Sequence, residues 1–412
     1  MSNQITPSAL QGIRILELAS PYTRYAGKLF ADMGADVVLI EPPAGSPLRR
    51  EGPYIADLPG LERSLSFAYY NTSKRGITLN LECDAGRAIF LELASNADLV
   101  LEGEKAGMMV QRGLDYLRLQ ELRSSLVLTS ITPFGQTGPY SQFESEDLVG
   151  MAMGGFMYLS GYPDTEPICA YGGQAYLAAG MYAAVASMLA LTSAELSGEG
   201  DHVDVSMQEC VVMAMETAVQ YFDLEKTIRK RFGANQRFAG SGVFECKDGY
   251  VYMMAAGIGA NKFWSYSLQW LINEKVPGVE RLQGDRWQQI EFVQSDEAKQ
   301  IFAEIFAPWA KQKTKAELYH EGQKNHVPLA PVNTPRDILL SKQLEHRGYF
   351  VDVEHPETDL PLRMPGAPYR LSRTPWRMQN TAPRLGEHNA AVYRETGRDE
   401  KELQKLHLAG AI

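Results

Sequence analysis

The sequence predicts an α/β protein, with a large domain built on a doubly wound parallel sheet and a smaller α+β domain. Runs of branched apolar residues at Ile13–Leu18 and Val37–Ile40 flank Tyr22–Met33, a segment with helical spacing. This order is typical of a β-α-β unit with a right-handed crossover. Short strands and helices continue to alternate along the first half of the chain, which predicts a parallel sheet with helices on both faces.

The remaining elements are predicted in chain order. Strands are expected at Thr78–Leu81, Leu99–Glu102, Leu126–Ile131 and His202–Val205. Helices are expected at Asp84–Ser95 and Leu114–Arg123, within the Ala-, Met- and Gly-rich region 147–193, and from Val211 to Arg231. Gly249–Met254, with helices around Lys262–Ile272 and Glu297–Lys311, indicates the smaller mixed domain. From Pro328 the chain is proline-rich and irregular, and it ends in a short charged helix around Asp399–Leu408.

Charge excludes nucleic acid as a partner. The 412 residues carry a net charge of −10, whereas a nucleic-acid-binding protein needs a basic face. The short basic run Arg229-Lys230-Arg231, which follows Lys226, is interpreted as a solvated helix face. An anionic small molecule remains compatible with the composition, because local clusters of charge decide such binding.

Cysteine usage and hydropathy indicate a cytoplasmic protein. The four cysteines form no C-x-x-C pair, so reduced thiols are expected. The first eight residues are polar and contain no apolar signal-peptide core. The most apolar long stretch, Ala175–Leu191, is of marginal length for a membrane span, and a buried helix is the preferred interpretation.

Several common site motifs are missing. The first strand-to-helix turn reads Ala19-Ser-Pro-Tyr-Thr-Arg24 instead of G-x-G-x-x-G, which argues against a nicotinamide dinucleotide. The seven histidines show no metal-ligand spacing, and no G-x-S-x-G sequence marks a serine nucleophile. The segment Gly257–Gly259 is expected to form either a mobile loop over a site or an ordinary turn.

Seven motifs, in order from about residue 10 to about residue 390, resemble those of the family III CoA-transferases and acyl-CoA racemases. The opening motif consists of two stretches, and six shorter motifs follow it: Gly12–Leu18 with Leu29–Pro43, then Asn71–Asn80, Phe134–Tyr140, Asp201–Ser206, Pro328–Asn333, Ser372–Pro375 and Leu385–Asn389. No single motif decides the matter. Seven in family order over nearly the whole chain identify it as a member.

The resemblance implies an architecture that composition could not have indicated. The large domain would contain residues 1–220 and 330–412, from both ends of the chain, and residues 221–329 would form the small domain and its linkers. Two such subunits would pass through one another like chain links. The resemblance therefore implies an interlocked dimer, an exception to the usual absence of threaded chains.

The chemistry of the family requires a carboxylate. An aspartate attacks the acyl-CoA thioester, and the resulting anhydride is attacked by CoA, so that the enzyme holds CoA as its own thioester. The family places this aspartate in Ala-Asp-Leu-x-x-Gly, and the matching stretch here is Ala175-Tyr176-Leu-Ala-Ala-Gly180. Tyr176 therefore stands at the aspartate position. A phenol has no carbonyl for sulfur to attack, so no residue of this chain is assigned as catalytic.

A second departure lies after the strand that ends at Glu102. The family has Asn-Phe-Arg-Pro-Gly in a turn against the CoA nucleotide, and this chain has Gly103-Glu-Lys-Ala-Gly107. A glutamate there would repel phosphate groups. Four basic residues match family positions near the CoA phosphates and are the candidate CoA-binding residues: Arg49, Arg50, Lys74 and Arg75.

Other acidic residues offer alternatives. The racemase branch uses a histidine and an aspartate, and the matching residues here are Glu146 and Tyr176, which would have to act as an acid–base pair. A solvated Glu146 is the preferred interpretation. Asp147 matches a residue common to the family and is expected to be structural, and Asp164, 12 residues before Tyr176, is a poor candidate for a displaced nucleophile.

The sequence therefore predicts the non-catalytic subunit of a heteromeric family III CoA-transferase. Its partner would be a homologous subunit that carries the aspartate, and its substrates a CoA thioester, such as succinyl-CoA, and a free carboxylic acid. No metal and no permanently bound cofactor are expected. The arrangement resembles the succinyl-CoA:benzylsuccinate CoA-transferases of anaerobic toluene breakdown. The alternatives are a homodimeric acyl-CoA isomerase or racemase and a non-enzymatic acyl-CoA-binding protein.

Overall fold

The structure is a computed structural model that describes residues 7–255 and 262–412. The predicted loop or turn at Gly257–Gly259 lies outside these residues. The chain divides into two compact units. The larger unit runs to Met157 and includes Cys169–Gln220 and Arg347–Ile412, and the smaller unit consists of Tyr158–Ile168 and Tyr221–His346.

A six-stranded parallel sheet forms the centre of the larger unit. Its strands are β1 (Arg14–Leu18), β2 (Asp36–Glu41), β3 (Arg75–Thr78), β4 (Leu99–Glu102), β5 (Val127–Thr132) and β6 (His202–Ser206). They lie in the order β3-β2-β1-β4-β5-β6, so the sheet reverses direction of winding between β1 and β4. Ligands of open α/β sheets bind at such a switch point, outside the carboxyl ends of the strands.

Helices cover both faces of this sheet. They are α1 (Arg24–Asp32), α2 (Leu65–Tyr70), α3 (Asp84–Ala94), α4 (Met108–Gln111), α5 (Tyr116–Leu122), α6 (Asp147–Met153), α7 (Gln174–Ser197) and α8 (Met207–Val212). The next helix, α9 (Glu216–Glu225), begins in the larger unit and ends in the smaller one. Because side chains alternate along a strand, Ile15 packs with the α1 and α7 core, whereas Leu16 packs with the α3 and α5 core on the other face. The predicted doubly wound sheet is confirmed.

Two predicted elements of this region were placed wrongly. The third strand is Arg75–Thr78, not Thr78–Leu81. The apolar signal came from Leu79, which is buried just after the strand ends, whereas Gly76 within the strand gives no such signal. The helix expected from Val211 to Arg231 is divided and ends at Glu225, and Lys226 has a left-handed backbone with φ 54°.

The basic run after this helix is therefore not a solvated helix face. The Arg231 guanidinium donates hydrogen bonds to three backbone carbonyls, of Tyr158, Tyr162 and Thr165, at 2.9–3.1 Å. The Arg229 guanidinium lies 3.4 Å from the centre of the Tyr221 ring. The run thus holds a nearby loop of the same unit in place.

The smaller unit combines a three-stranded antiparallel sheet with helices. Its strands are β7 (Ser241–Cys246), β8 (Gly249–Met254) and β9 (Leu329–Val332), and its further helices are α10 (Phe263–Asn273), α11 (Ile290–Gln294), α12 (Asp296–Ala310), α13 (Lys315–Lys324), α14 (Pro335–Leu339) and α15 (Lys342–His346). Large aromatic rings fill its core, among them Trp264 stacked on Trp287 with ring centres 4.7 Å apart. This unit has the predicted α+β character.

The end of the chain returns to the larger unit through β10 (Phe350–Val353), β11 (Leu362–Pro365), α16 (Asn389–Glu395) and α17 (Glu400–Leu408). It covers the outer edge of β3. The His388 amide donates to the Gly76 carbonyl at 2.9 Å, the Asn389 side chain accepts from the Thr78 amide at 2.9 Å, and the Tyr393 hydroxyl donates to the Thr78 carbonyl. An uncovered edge strand would invite pairing with other chains, so the Leu385–Asn389 motif protects the sheet.

Helix α7 presents two contrasting faces. Its small residues Ala175, Ala179, Ala183 and Gly180 are buried, and a Cβ added at Gly180 would lie 2.9 Å from the Cβ of Tyr25, so α1 approaches closely here. The opposite face exposes larger apolar side chains. Among the described residues, α7 is the one helix long and apolar enough, by length and composition, to cross a membrane. It is buried along one face only.

Candidate active site around Tyr176

Tyr176 lies in the first turn of α7, at the end of the helix where backbone amides lack partners inside the helix. The Asp147 carboxylate, in the first turn of α6, accepts a hydrogen bond from the Ala175 amide at 2.7 Å. A second bond comes from the Tyr176 amide. These bonds satisfy amides that would otherwise be unpaired, and they fix the direction in which α7 begins. Asp147 is therefore the residue that holds Tyr176 in position.

The Tyr176 ring is enclosed by other aromatic rings and one cation. The Tyr22 ring meets it edge-on, with ring centres 5.2 Å apart and an interplanar angle of 78°. The Arg24 guanidinium lies 5.9 Å from the Tyr176 ring centre and 4.5 Å from that of Tyr70. Arg24 also pairs with Glu51 at 2.7 Å. The site is thus a compact cluster of rings around a single neutralised guanidinium.

This setting keeps the Tyr176 phenol protonated. Burial raises the pKa of the Tyr176 hydroxyl, and the negative charge of Asp147 raises it further. Tyr22 behaves in the same way, because burial and the neighbouring Tyr176 raise the pKa of its hydroxyl. The Tyr22 hydroxyl donates to the Ser145 carbonyl at 2.7 Å. A neutral phenol is a poor nucleophile, and it also offers no carbonyl on which a thioester could form.

The alternative acids lie in solvent. Glu146 immediately precedes α6, its side chain makes no capping hydrogen bond, and the residue is exposed. Its exposure agrees with the preferred interpretation of a solvated Glu146. Asp164 is exposed as well, and it belongs to the smaller unit, whereas Tyr176 belongs to the larger one.

The turn after β4 lies at the switch point of the sheet. The Ser20 hydroxyl donates to the Gly103 carbonyl at 3.4 Å, and a Cβ at position 103 would clash with the Ser20 side chain. The Glu104 carboxylate pairs with Arg112 at 3.0 Å, and Arg112 also pairs with Glu82 at 2.5 Å. The Arg112 guanidinium beside this turn is thus engaged by two carboxylates, whereas Lys105, within the turn, is exposed and pairs with no described carboxylate.

A cavity of about 280 Å³ lies at the same strand ends. Its charged lining consists of the carboxylates of Glu41, Glu82 and Glu104 against the guanidinium of Arg112. Carboxylates outnumber cations here, and like charges at close range repel. The cavity is therefore electrostatically unsuited to phosphate groups.

Glu102, at the end of β4, is a buried acid that sequence reasoning did not identify. Burial raises the pKa of its carboxyl to about 7, although hydrogen bonds from Ser130 and from the Glu104 amide partly oppose this. The Glu104 amide donates to it at 2.7 Å. Glu102 thus fixes the backbone of the turn through its hydrogen bond with the Glu104 amide.

Two of the four basic residues assigned to CoA lie inside the protein. The Arg49 side chain is 0% exposed and pairs with Glu41 at 2.8 Å and with Glu62 at 2.7 Å. The Lys74 ammonium pairs with Glu17 at 2.6 Å, and both side chains are 0% exposed. Burial raises the pKa of Glu17 and lowers that of Lys74, and their mutual attraction opposes both shifts.

The other two basic residues lie nearer the surface. Arg75 pairs with Asp36 and with Glu395, each at 2.6 Å, and so ties β3 to the end of α16. Arg50 donates to the Ala44 carbonyl at 3.1 Å from an exposed position. All four residues thus have partners within the chain, and their assignment to CoA stays a prediction. Arg49 and Lys74 are buried beside the sheet, and the Lys74 ammonium also donates to the Arg24 carbonyl at 3.1 Å, so it supports the backbone of the Tyr176 cluster.

The residues that surround Tyr176 had only weak sequence signals. Tyr22 and Arg24 lie at the start of α1, and their signal in the sequence was a polar group beside an otherwise apolar helix. Glu102 closes a strand whose four residues are all buried, and a charged residue in such a strand marks a special environment. Among the described residues, no group of three or more His, Cys, Asp or Glu side chains could hold a metal ion.

Comparison with known proteins decides the family. The model of "CoA-transferase family III" matches residues 10–389. This chain belongs to CoA-transferase family III. The resemblance carried by the seven motifs is confirmed, and members of the family use CoA thioesters as substrates without a permanently bound cofactor.

Subunits of known transferases are among the relatives. Subunit BbsE of succinyl-CoA:(R)-benzylsuccinate CoA-transferase from Thauera aromatica is 38% identical over 97% of this chain and 97% of its own. The beta subunit of succinyl-CoA–L-malate CoA-transferase from Chloroflexus aurantiacus is 27% identical over 96% of this chain and 96% of its own. The alpha subunit of that enzyme is 29% identical over 94% of this chain and 88% of its own. A CAIB/BAIF family protein from Brucella suis superposes with a TM-score of 0.83 at 28% identity, over 94% of this chain and 99% of its own.

Proposed function

We propose that this chain is the aspartate-lacking subunit of a heteromeric family III CoA-transferase. The observation that carries the proposal is the Tyr176 phenol, protonated and enclosed by Tyr22 and Arg24, at the head of α7 where the family keeps its nucleophile. The Glu104 carboxylate at the switch point supports it, because it pairs with Arg112 and adds negative charge to the turn where a nucleotide phosphate would lie. A partner subunit would then supply the reacting carboxylate.

The exposed face of α7 supports a partner subunit. Met181, Val185, Leu189 and Leu196 are each more than half exposed, and their spacing places them along one side of the helix. An apolar ridge of this length on a water-exposed surface is typical of a protein–protein interface. The relatives described as alpha, beta or BbsE subunits belong to heteromeric enzymes by name, and the proposed partner is a homologue of similar size that interlocks with this chain.

The proposed reaction moves CoA from a CoA thioester to a free acid. The BbsE relative acts in a system that takes succinyl-CoA and (R)-benzylsuccinate, and we propose the same donor and acid for the complex that contains this chain. In this complex Tyr176 and Asp147 would complete the fold of the subunit, and the partner's aspartate would carry the acyl group.

Co-expression with an aspartate-bearing family III homologue tests the proposal. Native mass spectrometry should detect a complex that contains both chains, and transfer of CoA from succinyl-CoA to benzylsuccinate should require both. Tyr176→Ala in this chain should cost little activity, because the phenol has no chemical step. Replacement of the partner's aspartate by asparagine should abolish activity.

Two results would reject the proposal. One is full activity of the partner alone, with only separate homodimers after co-expression. The other is a hydroxylamine-sensitive acyl group on any carboxylate of this chain during turnover. Activity of this chain alone that requires both Glu146 and Tyr176 would instead support the homodimeric isomerase.

A further inference from the structure

The C-terminal segment of the larger unit, which includes the Ser372–Pro375 motif, forms a groove to which the proposed function assigns no role. Residues 347–351 and 366–378 enclose a cavity of about 760 Å³. We call it the arginine groove, because Arg347, Arg370 and Arg377 line it together with the rings of Tyr349, Tyr369 and Trp376. Its volume lies within the range of about 300–1,000 Å³ that is usual for small-molecule sites.

The three arginines have no carboxylate partner, as is also true of other exposed arginines such as Arg50 and Arg373, but these three line one cavity. Within residues 7–255 and 262–412, no carboxylate lies in ion-pair distance of Arg347, Arg370 or Arg377. This contrasts with Arg49 and Arg75, which each pair with two carboxylates. Three unpaired guanidinium groups around one cavity, in a protein with a net charge of −10, indicate an anionic occupant.

The groove is a built structure. The Gly366 amide donates to the Tyr349 carbonyl at 2.8 Å, and the Trp376 ring packs over Gly366, where a Cβ would lie 3.2 Å from a ring carbon. Arg370 Nη2 lies 3.9 Å from the position of a Cβ on Gly348. The Arg370 guanidinium thus lies beside the backbone at Gly348.

The segment that forms the groove is anchored although it lacks regular structure. Between β11 and α16 it contains no helix or strand. Its backbone is nevertheless bonded to the sheet domain, since the Arg377 amide donates to the Asp32 carbonyl at 3.1 Å and the Gln379 amide to the Ser73 hydroxyl at 2.9 Å. Long ordered loops of this kind are usually functional.

We infer that the arginine groove binds a dicarboxylic acid with an aromatic or other apolar body. Two carboxylates match the charge of guanidinium groups that can each form paired N–H···O bonds. The rings of Tyr349, Tyr369 and Trp376 offer apolar faces to the body of the ligand. The inference deepens the proposed function, since such an acid is the class of acceptor that a CoA-transferase would use, but the binding itself requires neither CoA nor catalysis.

Trp376 provides a reporter for this binding. It is one of five tryptophans, and the other four, Trp264, Trp270, Trp287 and Trp309, are buried in the core of the smaller unit. Titration of the full chain with benzylsuccinate should change its tryptophan fluorescence, and Trp376→Phe should remove most of this change. Succinate, which lacks the ring, and 3-phenylpropanoate, which lacks the second carboxylate, should each bind at least about 10-fold more weakly.

Substitutions separate specific binding from general attraction of anions. Arg370→Gln and Arg377→Gln should each weaken benzylsuccinate binding about 10-fold or more by calorimetry. Arg373→Gln is the matched control, because Arg373 is exposed on the same segment but does not line the groove. The affinity of this variant for benzylsuccinate should equal that of the unmodified chain.

A negative titration and a failure of the proposed function can be distinguished, because the titration uses no CoA donor and no activity readout. Equal affinities for the three variants would overturn the inference, as would equal affinities for the three acids. Loss of the fluorescence response in a purified complex with a family III homologue would also overturn it, since the groove would then be covered by a subunit. An inactive complex that still binds benzylsuccinate through Arg370 and Arg377 would reject only the proposed function.

Discussion

Basic residues in two regions of the larger unit have opposite surroundings. Beside the parallel sheet, Lys74 and Arg49 are completely buried and pair with Glu17 and Glu41. In the arginine groove, Arg370 and Arg377 are exposed and no described carboxylate pairs with them. The first pair matches family positions near CoA, whereas the second flanks the Ser372–Pro375 motif, to which the sequence assigned no ligand.

The contrast shows how a charge can be assigned to structure or to ligand binding. A buried cation with its own carboxylate cannot leave that partner without exposing an uncompensated charge inside the fold. An unpaired cation at the rim of a cavity can accept an external anion at little structural cost. Partner and burial therefore decide the role better than a motif position does.

Removal of one member of a buried pair should have the largest effect. Lys74→Met leaves the Glu17 carboxylate buried without its cation, and it should lower the free energy of unfolding by about 3–5 kcal/mol. Chemical denaturation followed by circular dichroism measures the loss. The double variant Lys74→Met/Glu17→Leu should recover most of it, and a double variant as unstable as the single one would contradict the structural assignment.

Glu102 offers a test of a buried acid without a cation. Its pKa of about 7 exceeds the ordinary 4.5, so between these values the folded protein binds a proton that the unfolded chain has released. The free energy of unfolding should therefore fall as pH rises from 4.5 to 7, by about 3 kcal/mol in total at 1.4 kcal/mol per unit. Glu102→Gln should remove this component, and an unchanged pH slope in the variant would argue against it.

The turn after β4 should be destabilised by the asparagine that the family has at position 103. Gly103→Asn restores the asparagine, but the new Cβ clashes with the Ser20 side chain, and a loss of about 1–3 kcal/mol is expected from the forced shift. Thermal unfolding measures it. Gly113→Asn is the control, because position 113 has a left-handed φ of 68°, which asparagine tolerates, and open space around it. Similar losses of stability at positions 103 and 113 would show that the Ser20 side chain moves away and that the clash costs little.

The smallest effect is expected in the arginine groove. Arg370→Gln and Arg377→Gln remove no ion pair seen in the described residues, so each should change the free energy of unfolding by at most about 0.5 kcal/mol. The same denaturation experiment applies. A loss of several kcal/mol would mean that these guanidinium groups hold the fold and would weaken the case for a ligand.

The sequence was most informative where a single local pattern determined the secondary structure. The β-α-β start and the α/β alternation predicted the sheet, because apolar periodicity follows burial directly. Strand β3 was misplaced because Leu79 is buried outside the strand, and β9 was not predicted because Pro331 interrupts its pattern. The helix after Val211 was extended too far because a left-handed residue, Lys226, has no clear composition signal.

The candidate site was predictable only in part. Motif order located Tyr176 and the Gly103–Gly107 turn, but Tyr22 and Arg24 reach Tyr176 across a long stretch of sequence that no local pattern connects. The burial of Arg49 and Lys74 was likewise hidden, since their partners Glu41 and Glu17 lie on different strands. Which charges pair is a property of the folded arrangement.

The edge of β3 is covered by residues that are synthesised much later than the strand itself. The residue whose side chain closes that edge, Asn389, follows Thr78 by 311 positions. At about 5–20 residues per second, a ribosome needs roughly 15–60 s to add the missing segment. For that period the nascent sheet presents unprotected backbone groups beside the exit tunnel. Fragments that stop before α16 should therefore keep this edge uncovered and be prone to aggregate.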